Sequence, residues 1–124
     1  MFKKEYLHPN EGFSQIVIVE TETTKTLHIS GQIGIGNDLE SQTIATFKNL
    51  ETLLKQCNSS FEDVVKMNTY IVNFNPETDL PIFRKVRKAF LGNDKYPAST
   101  LVGVTVLGSR DWLIEIDAVA VIEK

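Results

Sequence analysis

The first part of the chain alternates between β-branched apolar runs and polar clusters. Residues 14–20 contain four consecutive isoleucine or valine residues, which predict a strand. The polar cluster at residues 21–25 predicts a turn, and residues 26–30 predict a second strand. A glycine-rich segment at residues 31–36 follows, so regular structure is expected to loosen there.

Two later stretches repeat apolar residues every three or four positions, which is the spacing of one helix face. The first predicted helix has Asn58 as its expected stop and carries the stripe Ile44, Phe47, Leu50, Leu54 and Cys57. The second carries the stripe Leu80, Phe83, Val86 and Phe90. Thr78 or Asp79 is its expected N-cap, with Pro81 in the first turn, and Gly92 is its expected end.

Three further strands are predicted over residues 64–73, 100–107 and 112–122. Ser60 and Asp63 predict a helix N-cap or a turn before the first of them. The element order is therefore ββαβαββ. Strands that alternate with helices require crossover connections, which predicts an α+β fold with one mixed sheet and both helices on one face.

The last predicted strand is apolar on both faces. One face carries Trp112, Ile114, Ile116, Ala118 and Ala120. The other face carries Leu113, Val119 and Val121, together with Glu115 and Asp117. Two helices can cover only one sheet face, and soluble monomers rarely leave a large apolar patch exposed. We therefore expect a second copy of the chain to cover the other face.

Size and charge narrow the class of protein. The chain has 124 residues, which predicts a single domain over residues 1–124, and 42% of them are hydrophobic. Its net charge is −3 and its pI is about 5.4. A nucleic-acid partner is therefore not expected. The densest cationic stretch, residues 84–88, is interpreted as the solvated face of a helix.

Other chemistries fit the sequence poorly. Cys57 is the one cysteine and lies on an apolar helix stripe, so it is expected in the core. His8 and His28 are far apart and predict no metal site. No phosphate-loop or dinucleotide motif predicts a cofactor. Residues 1–6 lack the apolar region of a signal peptide and no apolar run could span a membrane, which favours a cytoplasmic protein.

Several segments together resemble one known family. Residues 96–98 read Tyr-Pro-Ala, and residues 115–120 read Glu-Ile-Asp-Ala-Val-Ala. Residues 12–15 read Gly-Phe-Ser-Gln, and residues 30–32 read Ser-Gly-Gln. In order and spacing these segments resemble the RidA family, also called YjgF or L-PSP, whose members are small trimeric imine and enamine deaminases. The chain resembles a divergent branch of it, because the family's substrate-binding arginine is replaced by Ser99.

The resemblance implies a chorismate-mutase-like fold and a homotrimer with small-molecule pockets in clefts between subunits. In the deaminating members, an arginine binds the substrate carboxylate. A backbone carbonyl after that arginine and the first glutamate of the closing strand hold the water that attacks the imine carbon. That glutamate corresponds to Glu115, the candidate catalytic residue here. Without the resemblance, Glu115 could equally be a surface carboxylate or a carboxylate paired with a lysine. No metal or organic cofactor is implied.

The candidate substrate-binding residues are Phe13, Ser30, Ser99, Leu101 and Arg110. Phe13 lies at the position of the family's tyrosine, and its ring either lines the pocket or packs in the core. Ser30 either lines the pocket or satisfies strand-end backbone groups. Leu101 follows the arginine position, near the implied backbone carbonyl. Arg110 precedes the last strand and is either a substitute guanidinium or an ordinary exposed turn residue.

Ser99 decides the expected activity. A hydroxyl has one donor and no charge, whereas a guanidinium offers a charged fork to both carboxylate oxygens. Removing the buried cation from a carboxylate costs about 3–5 kcal/mol. We therefore expect small-molecule binding with weak or no 2-aminoacrylate deaminase activity. Ser99 itself either hydrogen-bonds a neutral ligand or is a plain strand residue.

Two other functions remain open. The first is an active 2-iminobutanoate/2-iminopropanoate-type deaminase, a hydrolase that uses Glu115 and a water. The second is an endoribonuclease, an activity implied for some relatives. The acidic pI and the lack of a histidine pair disfavour it, since RNA affinity needs cations.

Overall fold

A computed structural model describes residues 2–92 and 94–124. The strands are β1 (Lys3–Asn10), β2 (Phe13–Glu20), β3 (Thr24–Gln32), β4 (Val64–Val72), β5 (Ala98–Val104) and β6 (Ile114–Glu123). The helices are α1 (Leu39–Gln56) and α2 (Pro76–Leu91), and a short 3₁₀ turn (Phe61–Asp63) precedes β4. None of the helices in these ranges is long and apolar enough to cross a membrane.

The strands form one six-stranded sheet in the order β1-β2-β3-β6-β4-β5. β4 and β5 are parallel, and the other neighbouring pairs are antiparallel. The predicted mixed sheet with two helices on one face is confirmed. α1 and α2 pack on each other, and the buried residues of both helices join those of the sheet in one core.

The first strand is absent from the predicted order ββαβαββ, which was wrong at this end. β1 pairs along its length with β2, from Lys3 opposite Glu20 to Asn10 opposite Phe13. Most of its residues are exposed, and Leu7 is the one that packs against the core. Because β1 is an edge strand with little apolar patterning, hydrophobic periodicity does not reveal it.

The core lies between the helices and one sheet face. Its largest fully buried side chains include Phe47, Phe83, Ile16, Leu27, Ile114 and Ile116. The Phe47 ring stacks on Phe90 with centroids 5.2 Å apart. On β6, alternate residues are buried, while Asp117 and Val119 are half-buried and Val121 is exposed. The two predicted faces are confirmed for residues 114–121, whereas Trp112 and Leu113 precede the strand, and coverage of the open face by a second copy stays a prediction.

The helix ends are fixed by side-chain caps. Asp38 caps α1, accepting a 2.8 Å hydrogen bond from the Ser41 backbone N–H. Asn58 follows α1 with a φ of 56°, as expected of a stop residue. Ser60 caps the 3₁₀ turn, which confirms the predicted turn there.

The predicted start of α2 was wrong. Its N-cap is Asn75, whose side chain accepts from the Glu77 N–H at 3.1 Å, and not Thr78 or Asp79. Pro76 therefore takes the first helical position, where its missing N–H costs nothing. This moves Pro81 into the second turn. The last two strands are also displaced: β5 begins two residues and ends three residues earlier than predicted, while β6 begins two residues and ends one residue later.

Candidate functional site

A cleft of about 520 Å³ lies where β2, β3 and β6 meet. Its lining residues are Phe13, Gln15, Ser30, Gly31, Gln32, Ile33, Trp112 and Glu115. Three of the predicted site residues, Phe13, Ser30 and Glu115, therefore lie together. We call this the Glu115 cleft.

A β-bulge places the Glu115 carboxylate against the β3 backbone. The pairing of β3 with β6 shifts between Ile29 and Gln32. A Cβ atom on Gly31 would overlap the Glu115 carboxylate. Glycine is therefore required for this close approach, as expected for a residue that lets a backbone lie against a side chain.

The electrostatics of Glu115 differ from those of Asp117, two residues along β6. Burial raises the pKa of the Glu115 carboxyl above its ordinary value, and the Asp117 charge raises it further. Asp117 accepts from Asn68 Nδ2 at 2.9 Å and from the Tyr70 hydroxyl at 3.2 Å. The salt bridges of residues 2–92 and 94–124 do not include Glu115. A desolvated carboxyl with no cation suits a general base.

The polar wall of the cleft is held by its own hydrogen bonds. The Ser30 hydroxyl donates to the Ser14 carbonyl at 2.6 Å, so it satisfies a strand backbone group while it lines the cleft. Gln32 Nε2 donates to Gln15 Oε1 at 2.8 Å and to the Ser30 carbonyl at 3.0 Å. These amides are already oriented before a ligand arrives.

Two aromatic side chains border the cleft. Phe13 is 52% exposed, so it is an open wall and not a core aromatic. Trp112 precedes β6, and a Cβ atom on Gly108 would lie 2.9 Å from its ring. The turn before β6 therefore packs closely over the indole.

A buried glutamine on α1 fixes the segment that carries Trp112. Gln42 Oε1 accepts from the Leu113 N–H at 2.8 Å, and its Nε2 donates to the Asp111 carbonyl at 2.9 Å. The same Nε2 lies 3.2 Å from the Gly36 carbonyl. Because Gln42 binds the backbone on both sides of Trp112, α1 positions one wall of the cleft.

Ser99 lies elsewhere, in a cavity of about 370 Å³ beside α2. The residues that line it are Met67, Thr69, Phe83, Arg84, Arg87, Lys88, Leu91, Tyr96, Pro97 and Ser99. β5 runs parallel to β4 with Ser99 opposite Met67, a buried residue on the helix side of the sheet. Ser99 and Glu115 therefore do not share a cavity within one protomer. We call this one the Ser99 cavity.

The other two candidates line neither cavity. Leu101 lies opposite Thr69 and packs against the core. Arg110 is exposed in the turn before β6. Their roles as ligand contacts stay predictions.

Arg84, Lys85 and Lys88 are exposed, as the interpretation of residues 84–88 as a solvated helix face predicts, and Arg87 is half-buried. Arg84, Arg87 and Lys88 line the Ser99 cavity, whereas Lys85 bonds Glu40 at 2.8 Å on the neighbouring helix. Their i, i+3, i+4 spacing predicts a common helix face. That spacing could have flagged the cluster, but only the packing of α2 shows what it faces.

The remaining titratable groups build no metal centre among residues 2–92 and 94–124, where no three His, Cys, Asp or Glu side chains cluster. His8 hydrogen-bonds Gln56 at 2.9 Å. Cys57 packs against the core as predicted, and burial raises the pKa of its thiol.

A mixed sheet backed by two helices, with a cleft beside a carboxylate that makes no salt bridge among the described residues, defines a small α+β protein. The sequence model of the endoribonuclease L-PSP family matches residues 3–122. The chain therefore belongs to this family, which is also called RidA or YjgF.

Individual relatives agree with this assignment. A 2-iminobutanoate/2-iminopropanoate deaminase of Dermatophagoides farinae is 31% identical over 123 residues, covering 93% of this chain and 89% of the relative. The structure of a Rid-family protein of unknown function from Yersinia pestis matches with a TM-score of 0.72 at 30% identity, covering 96% and 98% of the two chains. A YjgF-family structure from Neisseria meningitidis matches with a TM-score of 0.81 at 21% identity, covering 96% and 94%.

Proposed function

We propose that the protein is a cytoplasmic homotrimer that binds small-molecule metabolites in clefts between its subunits. The observation that carries this proposal is the separation of Glu115 and Ser99 into different cavities of one protomer. A ligand could contact both only if a neighbouring copy brings one cavity against the other. The half-exposed valines of the open sheet face are the surface expected to pack between copies.

Assembly is tested by light scattering at micromolar concentration. The wild type should have three times the mass of one chain. Val121 is an exposed residue of the open face, so Val121→Asp should favour the monomer without disturbing the core. Ile35→Asp is the matched control, because Ile35 is exposed on a loop. A wild type that stays monomeric would refute the trimer.

Deaminase activity on 2-aminoacrylate is weak or absent in this proposal. The position after Pro97-Ala98 holds a serine, and neither the Glu115 cleft nor the Ser99 cavity combines a guanidinium with Glu115. Within one protomer, a substrate carboxylate beside Glu115 would lack a cation and would meet a like charge.

An active imine deaminase is the second candidate, and Glu115 is the observation that favours it. Its carboxyl is desolvated and unpaired, as a base that activates water must be. The name of the D. farinae relative supplies the substrate class. Endoribonuclease action is a weaker candidate, because the acidic chain offers RNA little attraction.

One assay separates these candidates. Freshly generated 2-aminoacrylate is offered to the wild type, Ser99→Arg and Glu115→Gln, with release of the 2-keto acid as the readout. We expect little turnover by the wild type and a gain by Ser99→Arg that is lost when Glu115→Gln is added. Robust wild-type turnover that Glu115→Gln abolishes would establish the deaminase instead.

A further inference from the structure

The Glu115 cleft combines a negative charge with aromatic surface. Among the described residues that line it, Glu115 is the charged one, and Phe13 and Trp112 are aromatic. The face of an aromatic ring carries partial negative charge, so it attracts cations as a carboxylate does. The charged and the aromatic parts of the cleft therefore favour the same kind of partner, an organic cation.

The hydrogen bonds of the polar wall leave mainly acceptors for a ligand. Gln32 Nε2 donates its two hydrogens to Gln15 Oε1 and to the Ser30 carbonyl, and the Ser30 hydroxyl donates its one hydrogen to Ser14. These two side chains keep acceptor capacity at Gln32 Oε1 and the Ser30 hydroxyl oxygen. The Gln15 amide and the Trp112 indole N–H are the side-chain donors that remain. Two carboxylate oxygens add to the acceptors, so the cleft suits a ligand that donates hydrogen bonds.

The neighbours of Glu115 supply no counter-ion among the described residues. The titratable groups beside it are Asp117 on its own strand and Tyr70, its cross-strand neighbour on β4. Lys66 also lies on β4, but its Nζ donates to Thr100 at 2.9 Å and so points toward β5, away from β6. Burial and the Asp117 charge raise the pKa of the Glu115 carboxyl, which makes its ionised form costly while the cleft is empty. A bound cation would compensate that cost.

We propose that the Glu115 cleft binds an organic monocation, a primary ammonium group on an apolar body. Glu115 is its counter-ion, and the rings of Phe13 and Trp112 lie against the carbons next to the nitrogen. This rests on the proposed binding function and names a ligand class for one of its sites. The volume of about 520 Å³ is within the range of small-molecule sites. The ligand carries no carboxylate, so its class differs from the imino acids that the deaminase candidate would take.

The test compares three five-carbon compounds that differ in their polar end: pentylamine, pentan-1-ol and pentanoate. Trp112 is the only tryptophan and lines the cleft, so the change in its fluorescence during a titration reports binding. The wild type should bind pentylamine about tenfold more tightly than pentan-1-ol, because hydrogen bonds to charged groups contribute more than neutral ones. Pentanoate should bind more weakly than the alcohol, and added salt should weaken the amine most.

Variants assign the contacts. Glu115→Gln should abolish the preference for pentylamine over pentan-1-ol. Asp117→Asn is the matched control, because it removes the same charge from the same strand while the Asp117 carboxylate is held by Asn68 and Tyr70 and does not line the cleft. It should change the preference by less than about threefold. Phe13→Leu keeps apolar bulk but removes the ring, so it should weaken pentylamine by about two- to fivefold and leave the alcohol unchanged.

The pH dependence gives a second signature. Pentylamine binding should weaken as the pH falls through the pKa of Glu115, because a protonated carboxyl offers the ammonium group no charge. Pentan-1-ol binding should stay constant over the same range, and Glu115→Gln should bind both compounds without this dependence. Asp117→Asn should move the pentylamine profile to lower pH, since the Asp117 charge contributes to the raised pKa of Glu115.

Equal affinity for pentylamine and pentan-1-ol, a preference that survives in Glu115→Gln, or no response to any of the three compounds would overturn this assignment. So would tighter binding of pentanoate, since it would mean that a cation, from Arg110 or from a neighbouring copy, serves the cleft. These outcomes are distinct from a failure of the proposed function, which is measured by the mass of the assembly and by turnover of 2-aminoacrylate.

Discussion

The two cavities lie in different regions of one sheet and differ in charge and in construction. The Glu115 cleft contains one carboxylate and no cation, while the Ser99 cavity contains three cations and no carboxylate. The cleft is shaped by backbone, through the β3 bulge and the Gln42 hydrogen bonds. The cavity is shaped by side chains of α2. Substitutions should therefore disturb the cleft more than the cavity.

The largest expected effect is at Gln42. Gln42→Met keeps the side-chain length but removes the hydrogen bonds to Asp111 and Leu113, so partly buried backbone groups lose their partners. We expect a loss of about 3 kcal/mol in the free energy of unfolding. Trp112 is the only tryptophan, so its fluorescence reports on the cleft directly.

The matched control is Lys48→Met, on an exposed position of the same helix whose side chain makes no salt bridge among the described residues. Its effect should stay within about 0.5 kcal/mol. If Gln42→Met were equally harmless and left the Trp112 emission unchanged, the cleft would not depend on backbone positioning by α1.

Gly31→Ala should have the next largest effect. The new Cβ overlaps the Glu115 carboxylate, and overpacking of this kind costs about 1–3 kcal/mol. Chemical denaturation measures the cost. In a Glu115→Ala background the same substitution should cost much less, because the obstructing carboxylate is gone. Equal costs in both backgrounds would show that the contact does not govern this site.

Glu115→Gln tests the electrostatic side of the comparison. A carboxyl whose folded pKa is raised contributes most to stability below its unfolded pKa, and this contribution is lost as pH rises through the folded pKa. Glutamine does not titrate, so the free energy of unfolding of the variant should rise relative to that of the wild type as the pH goes from acidic to neutral. Denaturation at several pH values measures the difference.

Asp117→Asn is the contrasting substitution on the same strand. Asp117 receives hydrogen bonds from Asn68 and Tyr70, so its loss should destabilise the protein at neutral pH by about 1 kcal/mol. If Glu115→Gln raises the free energy of unfolding at neutral pH and Asp117→Asn lowers it, the assignment of Glu115 as the unpartnered carboxyl is supported. The same sign for both would contradict it.

The smallest expected effect is the change in the free energy of unfolding when one cation of the Ser99 cavity is removed. Arg84 is exposed and makes no described salt bridge, and glutamine has a similar helix propensity. Arg84→Gln should therefore change the free energy of unfolding by less than about 0.5 kcal/mol. A large loss would mean that this cation supports the fold and is not held for a ligand.

Much of the fold was predictable because its buried elements carry periodic apolar residues. The stripes of α1 and α2 and the alternation of β6 place the core correctly. β1 was missed, because a polar edge strand is specified by its pairing with β2 and not by its own pattern. The start of α2 was misplaced because three neighbouring residues could each cap a helix, and only backbone geometry chooses Asn75.

The candidate site was predictable in part. Phe13, Ser30 and Glu115 come together because they lie at adjoining strand ends. The sequence could not separate Ser99 from them, because its location depends on the parallel register of β5 against β4. The role of Gln42 was also hidden, since its partners are backbone groups about seventy residues away in the chain.

The bulge in β3 has a further consequence for protein engineering. From Ile29 to Gln32 the strand uses one residue more than β6 uses between Ala118 and Ile116. Deletion of Ile29 would realign the two strands and carry Gly31 away from the carboxylate, although every lining side chain kept its identity. Chain length at this point is therefore as much a determinant of binding as side-chain chemistry.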